Sequence, residues 1–74
     1  MDTVKIGKYI AGKRKALGMT QAQVAEKLGM SDKSVSKWER GECLPDTGVL
    51  LDLAEILGTT TDSLLRGGGV MRTY

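Results

Sequence analysis

The chain has 74 residues, about half the length of an average domain, so it can form one small hydrophobic core. Its hydrophobic and charged fractions, 41% and 27%, are typical of a globular domain and exclude a disordered or fibrous chain. No apolar run approaches the ~20 residues of a membrane span, and the start lacks the apolar stretch of a signal peptide, so we expect a cytoplasmic protein with no membrane partner. Histidine is absent and Cys43 is the only cysteine, which excludes disulfide frameworks, Cys/His metal sites and His-based triads. We therefore expect no metal and no cofactor.

The charges are distributed unevenly along the chain. Residues 1–40 hold nine basic and four acidic side chains, a net charge of +5, whereas residues 41–74 hold two and five, a net charge of −3. Such a separation on a small domain can focus a positive potential on one face and attract a polyanion such as nucleic acid. Lysines kept only for solubility would give the same composition, so charge alone leaves both interpretations open.

Apolar residues recur at helical spacing between glycines, and no segment alternates as a strand would. The first predicted helix covers residues 4–17 and ends at Gly18. Its apolar stripe consists of Ile6, Tyr9, Ile10 and Leu17. The second begins at Gln21, after a capping box formed by Thr20 and Gln23, and stops at Gly29.

Three further helices are predicted after Gly29. The third runs from Asp32 to about Arg40 with Ser31 as its N-cap, the fourth opens after Pro45, and Thr60 caps a fifth over residues 61–66. Three consecutive glycines, residues 67–69, follow. The sequence therefore predicts one all-α, five-helix domain at residues 1–66 and a flexible C-terminal tail or linker at 67–74.

The second and third helices are joined by only about three residues, Gly29 to Ser31, which predicts a sharp crossing between them. Ala25 is small enough for the helices to approach closely, and Gly29 permits a left-handed turn. Five apolar residues are spaced so that they form the wedge between the helices: Val24, Leu28, Met30, Val35 and Trp38. This combination predicts a helix-turn-helix.

From Ile6 to Leu65 the chain resembles the lambda-repressor-like, Cro/cI-type (XRE) helix-turn-helix regulators, through the segment IGKYIAGKRKALGMTQAQVAEKLGMSDKSVSKWERGECLPDTGVLLDLAEILGTTTDSLL. The resemblance implies a five-helix bundle that binds operator DNA as a homodimer, with the third helix in the major groove. It also implies a phosphate contact by Gln21 and an ion pair between Arg14 and Glu39. Ser63 departs from the family, which often has Glu at this position.

The residues themselves predict which side chains face DNA. If Val35 and Trp38 point to the core, the opposite face of the third helix is polar and is centred on Lys33, Ser36, Lys37 and Arg40. Lysine suits guanine O6 and N7, and serine can pair with several bases. Asp32 has two interpretations, since it could accept a hydrogen bond from cytosine N4 or simply interact with the helix dipole. The predicted base-reading set is Asp32, Lys33, Ser36 and Lys37.

Phosphate contacts need donors at the edges of this face, where helix N-termini also supply backbone N–H groups. The predicted phosphate-binding set is Thr20, Gln21, Ser34, Arg40, Arg14 and Lys13. Lys15 is an alternative to Lys13 on the first helix. Trp38 is interpreted as a core residue rather than a base-stacking one.

These features predict a sequence-specific regulator of transcription that binds double-stranded DNA, with repression as its expected effect. An enzyme is disfavoured because the chain has no histidine, no paired carboxylates in an apolar setting, no phosphate loop and no metal spacing. A protein-interaction module of the same fold, such as an antitoxin, stays an alternative, although its docking helix should expose apolar residues. The resemblance implies homodimer contacts in the last helix and the residues after it, with Leu64, Leu65, Val70 and Met71 as candidates, unless a further C-terminal domain or a protein partner follows the glycines.

Overall fold

The structure is a computed structural model, and it describes residues 2–67. This part of the chain forms α1 (Thr3–Ala16), α2 (Gln21–Leu28), α3 (Asp32–Glu39), α4 (Thr47–Leu57) and α5 (Thr61–Leu65), and no strand. The all-α, five-helix prediction is confirmed. None of the helices in residues 2–67 is both long and apolar enough to cross a membrane.

Side chains predicted to cap helices do so at two of the three sites. Thr20 and Gln23 form the reciprocal capping box of α2, and the Thr60 hydroxyl accepts from the Ser63 amide at the start of α5. The Asp46 carboxylate accepts from the Val49 amide and starts α4. Ser31 is the N-cap of α3 but makes no side-chain capping bond, so the prediction is right about its position and wrong about its bond.

The core is formed by all five helices. α3 packs on α1 and α2, α4 packs on the same two helices, and α5 packs on α1 and α4. Within residues 2–67 the core cluster is made of apolar residues. Its buried side chains are Ile6, Ile10, Val24, Ala25, Val35, Trp38, Leu50, Leu53, Ala54, Leu57 and Leu64. Burial of this apolar surface is the main force that stabilises so small a fold.

Two residues predicted to be apolar contacts are largely exposed instead. Leu17 is 51% exposed because α1 ends at Ala16, which turns the next residue away from the stripe. Met30 is 37% exposed because it follows the left-handed turn at Gly29, and the wedge between the helices is formed by the other predicted apolar residues. Both residues lie just beyond a helix end, where the helical period no longer applies.

The sequence did not indicate the close approach of α1 to α3 at Gly7. A Cβ atom at Gly7 would lie 2.6 Å from the Glu39 carbonyl oxygen and closer still to that of Trp38. Only glycine allows the two backbones to meet at this distance. The contact fixes α3 on α1 at the end of the helix that bears Trp38 and Glu39.

The C-terminal boundary also differs from the prediction. Gly67 takes a left-handed conformation after α5, its amide donates to the Leu64 carbonyl at 3.0 Å, and a Cβ there would contact Lys5. Gly67 therefore belongs to the packed domain rather than to the predicted tail. Leu64 is fully buried in the core, so its side chain has no exposed surface that could contact a second subunit. The prediction of a dimer contact at Leu64 is therefore wrong. Val70 and Met71 lie outside the described residues.

Candidate nucleic-acid interface

The turn between α2 and α3 is built by the backbone around Gly29. This residue has φ of 69° and ψ of 31°, and the Met30 amide donates to the Ala25 carbonyl at 2.9 Å, which closes the end of α2. After Ser31 the chain enters α3 directly. Because this connection is so short, α3 lies against α2 with its direction fixed by the turn.

The two faces of α3 have opposite character. Val35 and Trp38 are buried, whereas Lys33 and Lys37 are exposed on the other side of the helix. Ser36 is half-buried and Asp32 is exposed at the first turn, where its negative charge interacts favourably with the helix dipole. All four predicted base-reading side chains therefore lie on the outward part of α3, with Ser36 the least accessible.

One carboxylate, that of Glu39, joins three helices at the base of this face. Its Oε2 accepts from Arg14 Nε at 2.6 Å, and its Oε1 accepts from Arg14 Nη2 and from Gln21 Nε2, both at 3.0 Å. Arg14 Nη1 also donates to the Met19 carbonyl at 2.9 Å. The Arg14 and Glu39 side chains keep only 11% and 8% of their surface exposed. The hydrogen bond to Glu39 raises the pKa of Arg14, so the guanidinium stays charged.

These contacts direct the Arg14 guanidinium inward. Three of the five guanidinium N–H groups already bind Glu39 and Met19, and the side chain is only 11% exposed, so the geometry supports the ion pair more than the predicted phosphate contact by Arg14. Gln21 differs, since one amide hydrogen on Nε2 goes to Glu39 and the second has no described acceptor. Arg14, Glu39 and Gln21 together form the Glu39 node, which holds the Gln21 amide at the start of α2.

The start of α2 also presents backbone donors. Within residues 2–67, the amides of Gln21 and Ala22 have no acceptor, while the Thr20 hydroxyl is used by the Gln23 amide. Free N–H groups at a helix N-terminus form a ready anion site. Ser34 is half-buried on α3, and Lys13 is half-buried on α1. Neither side chain has a described hydrogen bond or ion pair that would prevent a phosphate contact.

Arg40 lies at the far end of α3 in a network that the sequence did not predict. Its Nε donates to Glu42 Oε2 at 2.6 Å, and its Nη1 donates to the Ser36 hydroxyl. Both charged side chains are about half exposed, at 55% and 51%. The hydrogen bond with its partner raises the pKa of Arg40 and lowers that of Glu42, and the charge of nearby Lys37 lowers the Glu42 pKa further.

Three residues that matter for this surface were missed in the sequence. Gly7 sets the α1–α3 distance, Ser31 keeps an exposed hydroxyl beside the start of α3, and Glu42 binds Arg40. Spacing could have suggested Glu42, since it follows Arg40 by two residues beyond a glycine. Gly7 gave no signal, because a glycine inside a helix usually only weakens it.

Comparison with known proteins decides the family. The helix-turn-helix family model HTH_3 matches residues 10–64. The chain belongs to the helix-turn-helix family. This agrees with the resemblance to the XRE regulators, and the matched segment includes α2, the turn and α3.

Two curated relatives illustrate the likeness in sequence. The chain is 37% identical over 67 residues to the repressor protein C2 of Salmonella phage P22, which covers 90% of this chain and 31% of that protein. It is 41% identical over 61 residues to the cryptic phage CTXphi transcriptional repressor RstR of Vibrio cholerae, covering 82% and 54%. The chain thus spans between about a third and a half of the length of these relatives.

Solved structures give the same result for the fold. The P22 c2 repressor, in a crystal structure with a synthetic operator, matches with a TM-score of 0.81 at 37% identity over 84% of this chain and 94% of that chain. The restriction-modification controller protein C.AhdI from Aeromonas hydrophila matches with a TM-score of 0.78 at 30% identity, over 85% and 96%. Hydroxypropylphosphonic acid epoxidase from S. wedmorenis shares the fold alone, since it is 24% identical.

Proposed function

We propose that this domain binds double-stranded DNA in a sequence-specific manner, with α3 in the major groove, and that it represses transcription. One observation carries the proposal: Lys33 and Lys37 are exposed on the face of α3 opposite the buried Val35 and Trp38. A helix whose outer face is polar and basic fits the major groove, where base edges present hydrogen-bonding groups. The P22 c2 repressor, which has a similar fold, was crystallised with a synthetic operator, and this supports DNA as the partner.

The side chains divide into two groups by what they can contact. Lys33, Ser36 and Lys37 face outward along α3 and would contact base edges, whereas Gln21 and the first amides of α2 would bind a phosphate. Phosphate contacts give affinity and register, and base contacts give specificity. Arg14 and Glu39 would act from behind this surface, because their contacts hold Gln21 and α3 in place.

The interpretation as a protein-interaction module receives less support. A helix that docks on another protein usually exposes apolar side chains at helical spacing. Within α3 both apolar side chains are buried and every exposed side chain is charged.

We further propose a homodimer on a near-palindromic operator, in the cytoplasm. Its two α3 helices would then enter successive major grooves about 34 Å apart. Leu65 is partly buried at the end of the domain and is the predicted dimer residue within residues 2–67 that keeps some exposed surface. The predicted tail or linker covers residues 67–74, of which 68–74 lie outside the described residues.

Selection of bound fragments from random duplex DNA tests the proposal directly. We expect one enriched sequence with two-fold symmetry and half-sites about one helical turn apart. Recovery of unrelated sequences would contradict specific binding. Affinity for the selected duplex should also fall with salt, with a log-log slope of about 0.9 for each phosphate contacted.

The variants Lys37→Ala and Gln21→Ala test the division between reading and positioning. We expect Lys37→Ala to relax the preference at one base pair by about 1–3 kcal/mol, and Gln21→Ala to weaken selected and random duplexes alike. Competition binding with single-base operator variants measures both effects. Equal behaviour of the two variants would contradict the assigned roles.

A further inference from the structure

We infer that Glu42 is an internal competitor for Arg40, so that DNA phosphate must replace the Glu42 carboxylate before Arg40 can bind the backbone. This inference rests on the proposed function, and it adds a residue that sets the affinity of the surface. Glu42 holds Arg40 Nε at 2.6 Å on the end of α3, adjacent to the outward face. A carboxylate at this position occupies the donors that a phosphate would use.

The backbone fixes Glu42 in place. Its amide donates to the Lys37 carbonyl and the Gly41 amide donates to the Trp38 carbonyl, both at 3.0 Å, which is the paired pattern of a Schellman motif. Gly41 has φ of 77°, and a Cβ there would lie 2.9 Å from the Val4 backbone. The turn is therefore both left-handed and closely packed, so Glu42 keeps its position beside α3.

The location of Glu42 is unfavourable for a residue that serves only stability. A negative charge at a helix C-terminus is repelled by the helix dipole. An exposed ion pair contributes little to stability, since water and salt screen it. Glu42 therefore adds little to the stability of the fold. Its carboxylate lies beside the basic surface that would contact DNA.

Arg40 can change partners without disturbing the fold. It follows the last residue of α3, its side chain is about half exposed, and its two bonds go to other side chains at the surface. The Ser36 hydroxyl holds the other branch of the guanidinium, which keeps Arg40 folded back along α3. Exchange of the carboxylate for a phosphate therefore needs only a rotation of one long side chain.

The test measures binding of wild type and Glu42→Gln to two duplexes of about 30 base pairs, one selected by the wild type and one of mixed sequence. We expect Glu42→Gln to bind both duplexes about two- to fivefold more tightly, because phosphate carries no sequence information. The log-log salt slope should steepen by up to about 0.9, since Glu42→Gln removes the carboxylate that neutralises Arg40 and so adds one phosphate contact.

Glu55→Gln is the matched control. Glu55 is exposed on α4 and has no ion pair within residues 2–67, so this variant makes the same change in net charge away from α3. It should bind within about 1.5-fold of the wild type, since exposed charges beyond the ~10 Å Debye length are screened. A gain equal to that of Glu42→Gln would show that net charge alone is responsible and would overturn the inference.

The Arg40→Ala background separates competition from simple repulsion. If Glu42 acts by holding Arg40, the gain from Glu42→Gln should fall by at least half when Arg40 is absent. An undiminished gain would mean that Glu42 only repels DNA, and weaker binding by Glu42→Gln would mean that it positions Arg40; both overturn the inference. Failure of the wild type to bind either duplex would overturn the proposed function, and with it this inference.

Discussion

Glu39 and Arg40 are neighbours in the chain, and each forms an ion pair, but the surroundings of the two pairs are opposite. Glu39 binds Arg14 across α1 and α3 with both side chains about nine-tenths buried. Arg40 binds Glu42 within the same turn of chain, with both side chains about half exposed. The nitrogen-oxygen distance is 2.6 Å in each pair, so distance does not distinguish them.

Burial decides what each pair can do. An enclosed pair cannot lose one partner without leaving a desolvated charge, so it fixes the relative position of the helices. An exposed pair is screened and can exchange its partner for another ion. One turn of α3 thus combines a permanent support on its inner side with a replaceable contact on its outer side.

The largest expected effect comes from breaking the enclosed pair. Arg14→Ala should lower the free energy of unfolding by about 3 kcal/mol, because it leaves the Glu39 carboxylate partly buried without its main partner. Urea denaturation followed by circular dichroism measures this. Replacement of both Arg14 and Glu39 by apolar side chains should cost less stability than Arg14→Ala alone. A loss below about 1 kcal/mol for Arg14→Ala would show that this pair contributes no more than an exposed ion pair.

A similar loss is expected from Gly7→Ala, which tests the support from the other side of α1. The added methyl group would meet the carbonyls of Trp38 and Glu39, so we expect a cost of about 2 kcal/mol or more. Gly12→Ala is the matched control, since nothing lies within 4 Å of a Cβ at that position of the same helix. Gly12→Ala should stabilise by up to about 1 kcal/mol, and thermal unfolding of both variants measures the difference.

Arg40→Ala should change stability very little. Its ion pair and its bond to Ser36 are exposed, so we expect a much smaller change in the free energy of unfolding than Arg14→Ala gives. The same variant should weaken binding to the duplexes selected by the wild type. A stability loss as large as that of Arg14→Ala would remove the distinction between the two pairs.

The smallest effect is a pH effect at Glu42. Because Arg40 lowers the Glu42 pKa in the folded protein, this pair adds stability above the ordinary carboxyl pKa and loses it as the pH falls through the lowered value. NMR titration of the Glu42 carboxyl carbon should give a pKa below that of an unpaired glutamate. In Arg40→Ala the value should move upward, and an unchanged value would show that Arg40 is not its cause.

The sequence contains much of the fold because local signals and apolar spacing agree. Thr20 with Gln23 predicts the start of α2, and the Val35–Trp38 spacing predicts the inner face of α3; the structure confirms both. Met30 and Leu17 were predicted wrongly, since periodicity does not show where a helix stops. Gly7 was missed because the close approach of two helices depends on tertiary geometry that spacing does not encode, whereas Glu42 was missed although its spacing from Arg40 could have suggested the contact.

The Glu39 node has a practical consequence for engineering. The side chains that hold α3 in place, Val35, Trp38 and Glu39, alternate along the helix with the exposed Lys33 and Lys37, and the two groups share no described contact. A library randomised at positions 33 and 37 should therefore keep its melting temperature while its members diverge in preferred target. Retargeting this scaffold becomes a search over two outward residues, with the framework beneath them left intact.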